Sequence, residues 1–328
     1  TVAYNLYGGG SPTARLEAAR SGRVAASEDV RAAENRLGAT VVKAYLDIRK
    51  ARDGVAAIEA GVKSYEAAVA VARARYDAGQ MLKADLLSLE VQLAQTRETL
   101  SSARHGAALA GRAFAFVLGD DTNTLIELAE DDPSVGLLSA PAAADFSRHP
   151  DLLGLQARVR AATAMLQAAR GGRQPSVNAF ATYQYDHGWQ LDHGADSWMA
   201  GVSVDLNVFD GGQTSGRIRQ ATAELAAAKE MLRKATLGIG LEVEQARLAH
   251  EDAQERLAVS VETVAQATES ADLSQARFEG GEMLISDLIG VEGRLIEARM
   301  RHAFAVADER LAVADLRRAL GLPILPSP

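Results

Sequence analysis

The sequence predicts a mainly α-helical protein with a small β part, built on long antiparallel coiled-coil hairpins. Three observations predict it. The chain repeats itself at a fixed offset of 202 residues, proline-free stretches carry apolar residues three and four apart, and two segments of about ten residues alternate apolar with polar side chains.

The repeat is clearest at "ARYDAGQMLKADLL", Ala74 to Leu87, which returns as "ARFEGGEMLISDLI", Ala276 to Ile289. The offset that pairs Gly79 with Gly281 also pairs Gly9 and Gly10 with Gly211 and Gly212, Arg15 with Arg217 and Arg75 with Arg277. It pairs Asp85 with Asp287, Leu93 with Leu295 and Arg97 with Arg299, and Leu118-Gly119 falls on Leu320-Gly321. The unit runs from Tyr4 to Gly119 and from Leu206 to Gly321, far longer than a solenoid repeat.

Each unit opens on a short alternating run and a glycine corner, "AYNLYGGG" or "VDLNVFDGG". After Pro12 comes an Ala-, Glu-, Arg- and Leu-rich stretch without proline, which predicts a helix over about Ser11 to Asp77, a rod of roughly 100 Å at the helical rise. Its seam is Val55, Ile58, Val62, Tyr65, Val69, Ala72 and Tyr76. Beyond Gly79 the spacing continues through Leu86, Leu89, Leu93, Thr96, Leu100, Ala103, Ala107, Ala110, Phe114 and Val117. Two heptad helices joined by a short turn make an antiparallel hairpin. In the second unit the seams are Leu257, Val261, Val264, Thr268, Ala271 and Phe278, then Leu284, Leu288, Val291, Leu295 and Ala298. So much alanine buries little area per residue, so further helices, from other subunits, are expected to complete the packing. A shorter amphipathic helix is expected from about Asp151 to Arg170, closed by Gly171-Gly172.

Between Pro175 and Gly211 lie two strands. Val177, Ala179, Ala181, Tyr183 and Tyr185 share one face of the first, and Trp198, Ala200, Val202, Val204, Leu206 and Val208 one face of the second. Phe180 and Met199 break the alternation. About ten residues is the length of a tilted barrel strand in a bilayer. Tyr183, Tyr185, Trp189 and Trp198 gather at one end, as an interfacial aromatic belt does. A soluble sandwich hairpin alternates in the same way. With "TVAYNLY" the chain offers too few strands to close a barrel, so a barrel must be shared between subunits.

Composition narrows the function classes. At 328 residues, 48 % hydrophobic and 24 % charged, the chain is of folded composition, and its length suggests about two domains. A net charge of −8 argues against nucleic acid as a partner. The absence of cysteine excludes disulfides and thiolate metal sites. No apolar run approaches the ~20 residues of a spanning helix. Asp186, His187, Asp192 and His193 in "DHGWQLDHG" are a weak candidate for a divalent metal, His187 and His193 above all, and loop polarity explains them as well. "GGGSPT" lacks the GK[ST] of a phosphate loop, and no spacing of Ser, His and acidic residues favours nucleophilic catalysis. Neither an enzyme nor a cofactor is expected.

On the duplication, the two glycine turns and the corners "LYGGG" and "VFDGG", the chain resembles the TolC family of outer-membrane channel-tunnel proteins over essentially its whole length. The resemblance implies a homotrimer in the outer membrane of a Gram-negative bacterium. Four strands per protomer enter a shared transmembrane β-barrel in contact with outer-membrane lipid, and the hairpins form a trimeric α-barrel in the periplasm. It implies an exit duct for an efflux pump or type I secretion system, with a periplasmic adaptor and an inner-membrane transporter as partners. The alternative is a soluble periplasmic coiled-coil scaffold or adaptor protein. Because "TVAYNLY" lacks a hairpin partner, roughly the first quarter of the mature protein is expected upstream of Thr1.

In those terms residues 1–9 end a first-repeat barrel strand, and 10–120 form the first hairpin with its tip at 78–82. Residues 121–150 form an equatorial loop-rich segment, 151–172 a helix and 173–210 the transmembrane β-hairpin. Residues 211–321 form the second hairpin with its tip at 279–284, and 322–328 a tail. The resemblance makes Ala78, Gly79, Gln80, Gly280, Gly281 and Glu282 the surface that adaptor hairpins grip. It places Asp287 and Asp85 at the aperture, where the bland reading is a carboxylate stabilised by a helix N-terminus. Phe278 and Met283 stand where the family's gate carries tyrosine and arginine, and Gly290 where it carries a second aspartate.

Overall fold

A computed structural model describes residues 1–121, 145–187 and 194–324. In chain order its elements are β1 (Val2–Gly8), α1 (Ser11–Asp77), α2 (Lys83–Leu118), α3 (Pro150–Gly171), β2 (Ser176–His187), β3 (Gly194–Asp205), α4 (Gln213–Gly280) and α5 (Ile285–Ala319). Among the described residues no helix is long and apolar enough to cross a membrane. Packing divides the chain into two units, Thr1–Ala33 with Phe146–Gly240, and Glu34–Asp145 with Leu241–Pro328.

The first unit holds a three-stranded antiparallel sheet in the order β1-β2-β3. Its register puts Tyr4 opposite Ala179 and Ala179 opposite Val202, so Val2, Tyr4, Tyr183, Trp198 and Val204 fall on one face. That face is bare: Trp198 is 79 % exposed and Val204 67 %. The opposite face carries a polar rung, in which Asn5 Nδ2 donates to Asn178 Oδ1 at 2.7 Å and Asn178 Nδ2 donates to Asp205 Oδ2 at 3.3 Å. Phe180, the break in the alternation, has a reason there. It lies opposite Gly201, and a Cβ on that glycine would come within 2.9 Å of the phenyl ring, so the ring covers the gap a missing side chain leaves.

The second strand differs from expectation by ending at Asp205 instead of running on through Phe209. Its partner β2 begins at Ser176, opposite Asp205, and beyond that point no ladder remains on that side. The strand-to-helix corner after β1 is fixed by glycine: Gly9 has φ 61°, and a Cβ on it would sit 2.4 Å from the carbonyl oxygen of Gly171. Arg158 of α3 pairs with Asp29 of α1 at 2.6 Å. At the second corner Asp210 accepts from the backbone N–H groups of Gly212 and Thr214 at 3.0 and 2.7 Å, which starts α4.

The second unit holds the tip-side lengths of α1 and α4 with all of α2 and α5. Ile58, Val62, Tyr65 and Ala72 of α1 and Leu86, Leu89, Leu93 and Leu100 of α2 share one core with Phe278 of α4 and Ile285 and Leu288 of α5. Ala271, Val291 and Leu295 form a second, smaller cluster, and three expected seam residues, Tyr76, Val261 and Leu284, are exposed. Helices α1 and α5 approach closely at Gly61, where a Cβ would lie 2.2 Å from Ile296 Cδ1. Beside it the buried Tyr65 donates to the carbonyl of Ile289 at 3.1 Å.

Three ion pairs cross the first hairpin one heptad apart, Glu59–Arg104 and Glu66–Arg97, both at 2.7 Å, and Arg73–Glu90. The equivalent pairs in the second hairpin are Val261 with Val306, Thr268 with Arg299, and Gln275 with Glu292, so the ladder has no counterpart there.

Two outcomes are expected from this packing. Gly61→Ala destabilises the fold by about 1–3 kcal/mol through overpacking, although alanine is the better helix former, and Ile296→Ala relieves part of that penalty. A denaturant-melt double-mutant cycle reads the coupling. The Tyr65 phenol is pushed up to about 12, first by burial and then by the charge of Glu292, against a hydrogen bond from Gln92. The folded state therefore favours the neutral phenol. The stability this contributes is intact below pH ~10, the ordinary tyrosine value, and lost as pH climbs through about 12. Tyr65→Phe flattens that window in unfolding curves taken from pH 8 to 12, at a cost of about 1 kcal/mol near neutrality for the lost hydrogen bond.

Candidate functional site at the hairpin tips

Both hairpins reverse by the same turn. After α1, the N–H of Gly79 donates to Tyr76 at 2.9 Å and that of Gln80 donates to Arg75 at 2.8 Å, with Gly79 at φ 73°. After α4, Gly281 donates to Phe278 at 3.1 Å and Glu282 to Arg277 at 2.9 Å, with Gly281 at φ 81°. This is the Schellman arrangement, which requires a left-handed residue and so selects glycine. Among the described residues all eight glycines of positive φ fall into four such pairs: 9 with 211, 10 with 212, 79 with 281 and 119 with 321.

The outgoing helices also start alike. Leu82 and Leu284 are extended and offer no side-chain cap. Asp85 and Asp287 stand in the first turns of α2 and α5, where the exposed N–H groups and the helix dipole favour a carboxylate. Asp287 is exposed, with Ser286 Oγ donating to it at 3.4 Å, whereas Asp85 is half-buried. Ala78, Gly79, Gln80, Gly280, Gly281 and Glu282 are all exposed.

Phe278 and Met283, both expected at the aperture, pack beneath the turns. The Phe278 ring is wholly buried in the shared core and Met283 packs against the same cluster, because the heptad that carries Phe278 points it inward. Above Phe278 lies Arg75, its guanidinium 5.5 Å from the ring centroid, and Arg75 Nη2 donates to the carbonyl of Glu279. Arg75 thereby ties the first tip to the second. Sequence reading assigned it no role; the signal was its recurrence as Arg277 at the same place in the repeat.

Of the aromatic belt, Tyr183 faces Trp198 directly across the β2–β3 ladder, and both are exposed, as is Tyr185. Trp189 and His193 lie outside the described residues, as does the side chain of His187.

The model of the outer membrane efflux protein family matches residues 1–120 and 146–322. The chain belongs to that family. Protein CyaE of Bordetella pertussis is 27 % identical over 332 residues, which cover 98 % of this chain and 69 % of CyaE. Outer membrane efflux protein BepC of Brucella suis is 24 % identical over 96 % of this chain and 70 % of its own length. The chain thus spans about seven-tenths of each. Among solved structures, the outer membrane protein VceC of Vibrio cholerae superposes with a TM-score of 0.83 at 20 % identity, over 98 % of this chain and 78 % of that one. The open-state MtrE channel of Neisseria gonorrhoeae gives 0.81 at 21 % identity, over 98 % and 74 %. The mainly helical fold with its small β part is the fold of these channels. An outer membrane efflux protein is an exit duct for efflux or secretion, held in the outer membrane of a Gram-negative bacterium and extending into the periplasm. A soluble scaffold is not favoured.

The turn geometry sets an expected contrast. Gly79→Ala and Gly281→Ala each cost about 1 kcal/mol, since a Cβ is strained at these φ values. Gly22→Ala, in an exposed helical position with open space around it, gains about 0.5–1 kcal/mol. Thermal melts of the three variants check the opposite signs.

Proposed function

We propose that this chain forms a passive homotrimeric duct of a tripartite efflux pump or type I secretion system, gated at the hairpin tips. The observation that carries the reading is the sheet, with its bare apolar face of Tyr4, Trp198, Val202 and Val204 and its polar rung of Asn5, Asn178 and Asp205 on the other side. A lipid-facing exterior and a wet interior account for both faces at once. Beyond β1 and β3 no further strand is present among the described residues, which suits a barrel completed by other strands and other subunits.

At the tips, the exposed turns at Ala78, Gly79 and Gln80 and at Gly280, Gly281 and Glu282 offer uncovered backbone to a periplasmic adaptor, which links the duct to an inner-membrane transporter. Asp287, exposed at a helix start, is the leading aperture residue, with Asp85 beside it. Three copies set three Asp287 carboxylates around one axis, a ring that favours cations. Phe278 and Met283 act from beneath, by packing. The reading needs no catalysis and no cofactor.

In planar bilayers, Asp287→Ala is expected to raise conductance or weaken block by multivalent cations, and no change in either removes it as an aperture residue. A chain that purifies as a monodisperse monomer without detergent overturns the duct itself.

A further inference from the structure

Within one chain, the second tip receives an arginine from the first. Arg75 Nη2 donates to the carbonyl of Glu279, and its guanidinium lies over the Phe278 ring. The repeat supplies every part of this contact a second time. Arg277 is the equivalent of Arg75, Asp77 of Glu279 and Tyr76 of Phe278. The second set of parts is not joined within the chain. Arg277 is exposed and, among the described residues, its guanidinium makes no hydrogen bond or ion pair. Tyr76 is 38 % exposed.

The acceptor is matched as well as the donor. The turn after α1 bonds to the carbonyls of Tyr76 and Arg75 and the turn after α4 to those of Phe278 and Arg277, so the carbonyls of Asp77 and Glu279 receive no backbone N–H from the turn. Such a carbonyl, at the negative end of a long helix, attracts a cation. A Cβ on Gly281 would meet the Arg75 guanidinium at 3.3 Å, while one on Gly79 meets nothing within 4 Å, so the first tip is open where the second is occupied. The neighbouring helix face tells the same story: Ile289 packs on the shared core, and its equivalent Leu87 is 47 % exposed.

We propose that Arg277 latches neighbouring copies of this chain, donating to the Asp77 carbonyl of the next copy and lying over that copy's Tyr76, as Arg75 does within a chain. The contact that joins the two tips of one chain thereby recurs between chains, and the ring of six tips closes through alternating Arg75 and Arg277 contacts. The inference rests on the trimeric duct reading.

These 328 residues contain no cysteine, so introduced pairs report without background. In the full-length protein in detergent, Asp77→Cys with Arg277→Cys, treated with a short bismaleimide, should give species of two and three chains on a denaturing gel. Arg75→Cys with Glu279→Cys should link within one chain and leave the gel mass unchanged, with the linked peptides found by mass spectrometry. In bilayers Arg277→Ala should raise conductance several-fold, and Arg277→Lys should restore part of the closure. A trimer by native mass spectrometry in which Asp77→Cys and Arg277→Cys fail to link chains overturns the latch and leaves the duct reading standing. A protein that is not trimeric overturns both. Unchanged conductance in Arg277→Ala overturns the latch, as does loss of adaptor capture in that variant without any inter-chain link, which would make Arg277 a docking residue.

Discussion

An alanine-rich coiled-coil hairpin buries too little apolar surface to hold its own length straight, and the helical part of this protein depends on how that shortage is met. It is met by sharing. Near the tips, Tyr65, Leu89, Phe278 and Leu288 come from four different helices and enclose one another in a single cluster. Sharing requires that the hairpins turn at matching levels and approach closely. The first need is served by Gly79 and Gly281, whose backbones superpose in φ and in hydrogen bonding, and the second by Gly61, which admits Ile296 against the α1 backbone.

Much of this was legible in the residues. The first long helix begins and ends where composition and the glycine turn put it, at Ser11 and Asp77. What heptad spacing could not resolve was which side of a seam finds a neighbour. Tyr76 and Val261 keep the period yet stay exposed, and Phe278, expected at an aperture, is enclosed. Periodicity names a face of a helix and leaves its partner unnamed. The Arg75 contact was hidden for a related reason: its acceptor is a main-chain carbonyl 204 residues away, and a carbonyl has no letter in the sequence.

The sheet is the opposite case, because alternation specifies both faces at once. Its one irregular aromatic, Phe180, became intelligible only when the register set it over Gly201. The two faces suit the duct proposed for this chain, since a wall between lipid and water needs one surface that tolerates each.

The ion-pair ladder has a wider consequence. Glu59–Arg104, Glu66–Arg97 and Arg73–Glu90 brace the first hairpin at regular intervals, and the second hairpin carries none of these rungs. Each pair is exposed and worth about 0.2–1 kcal/mol, and each fades as salt shortens the screening length below its physiological value of about 8 Å. The two legs of a single chain therefore feel the ionic medium unequally. The first is loosened near its tip, and the second, whose helices are joined by Arg318–Glu242 and Arg256–Asp308, is loosened farther from it.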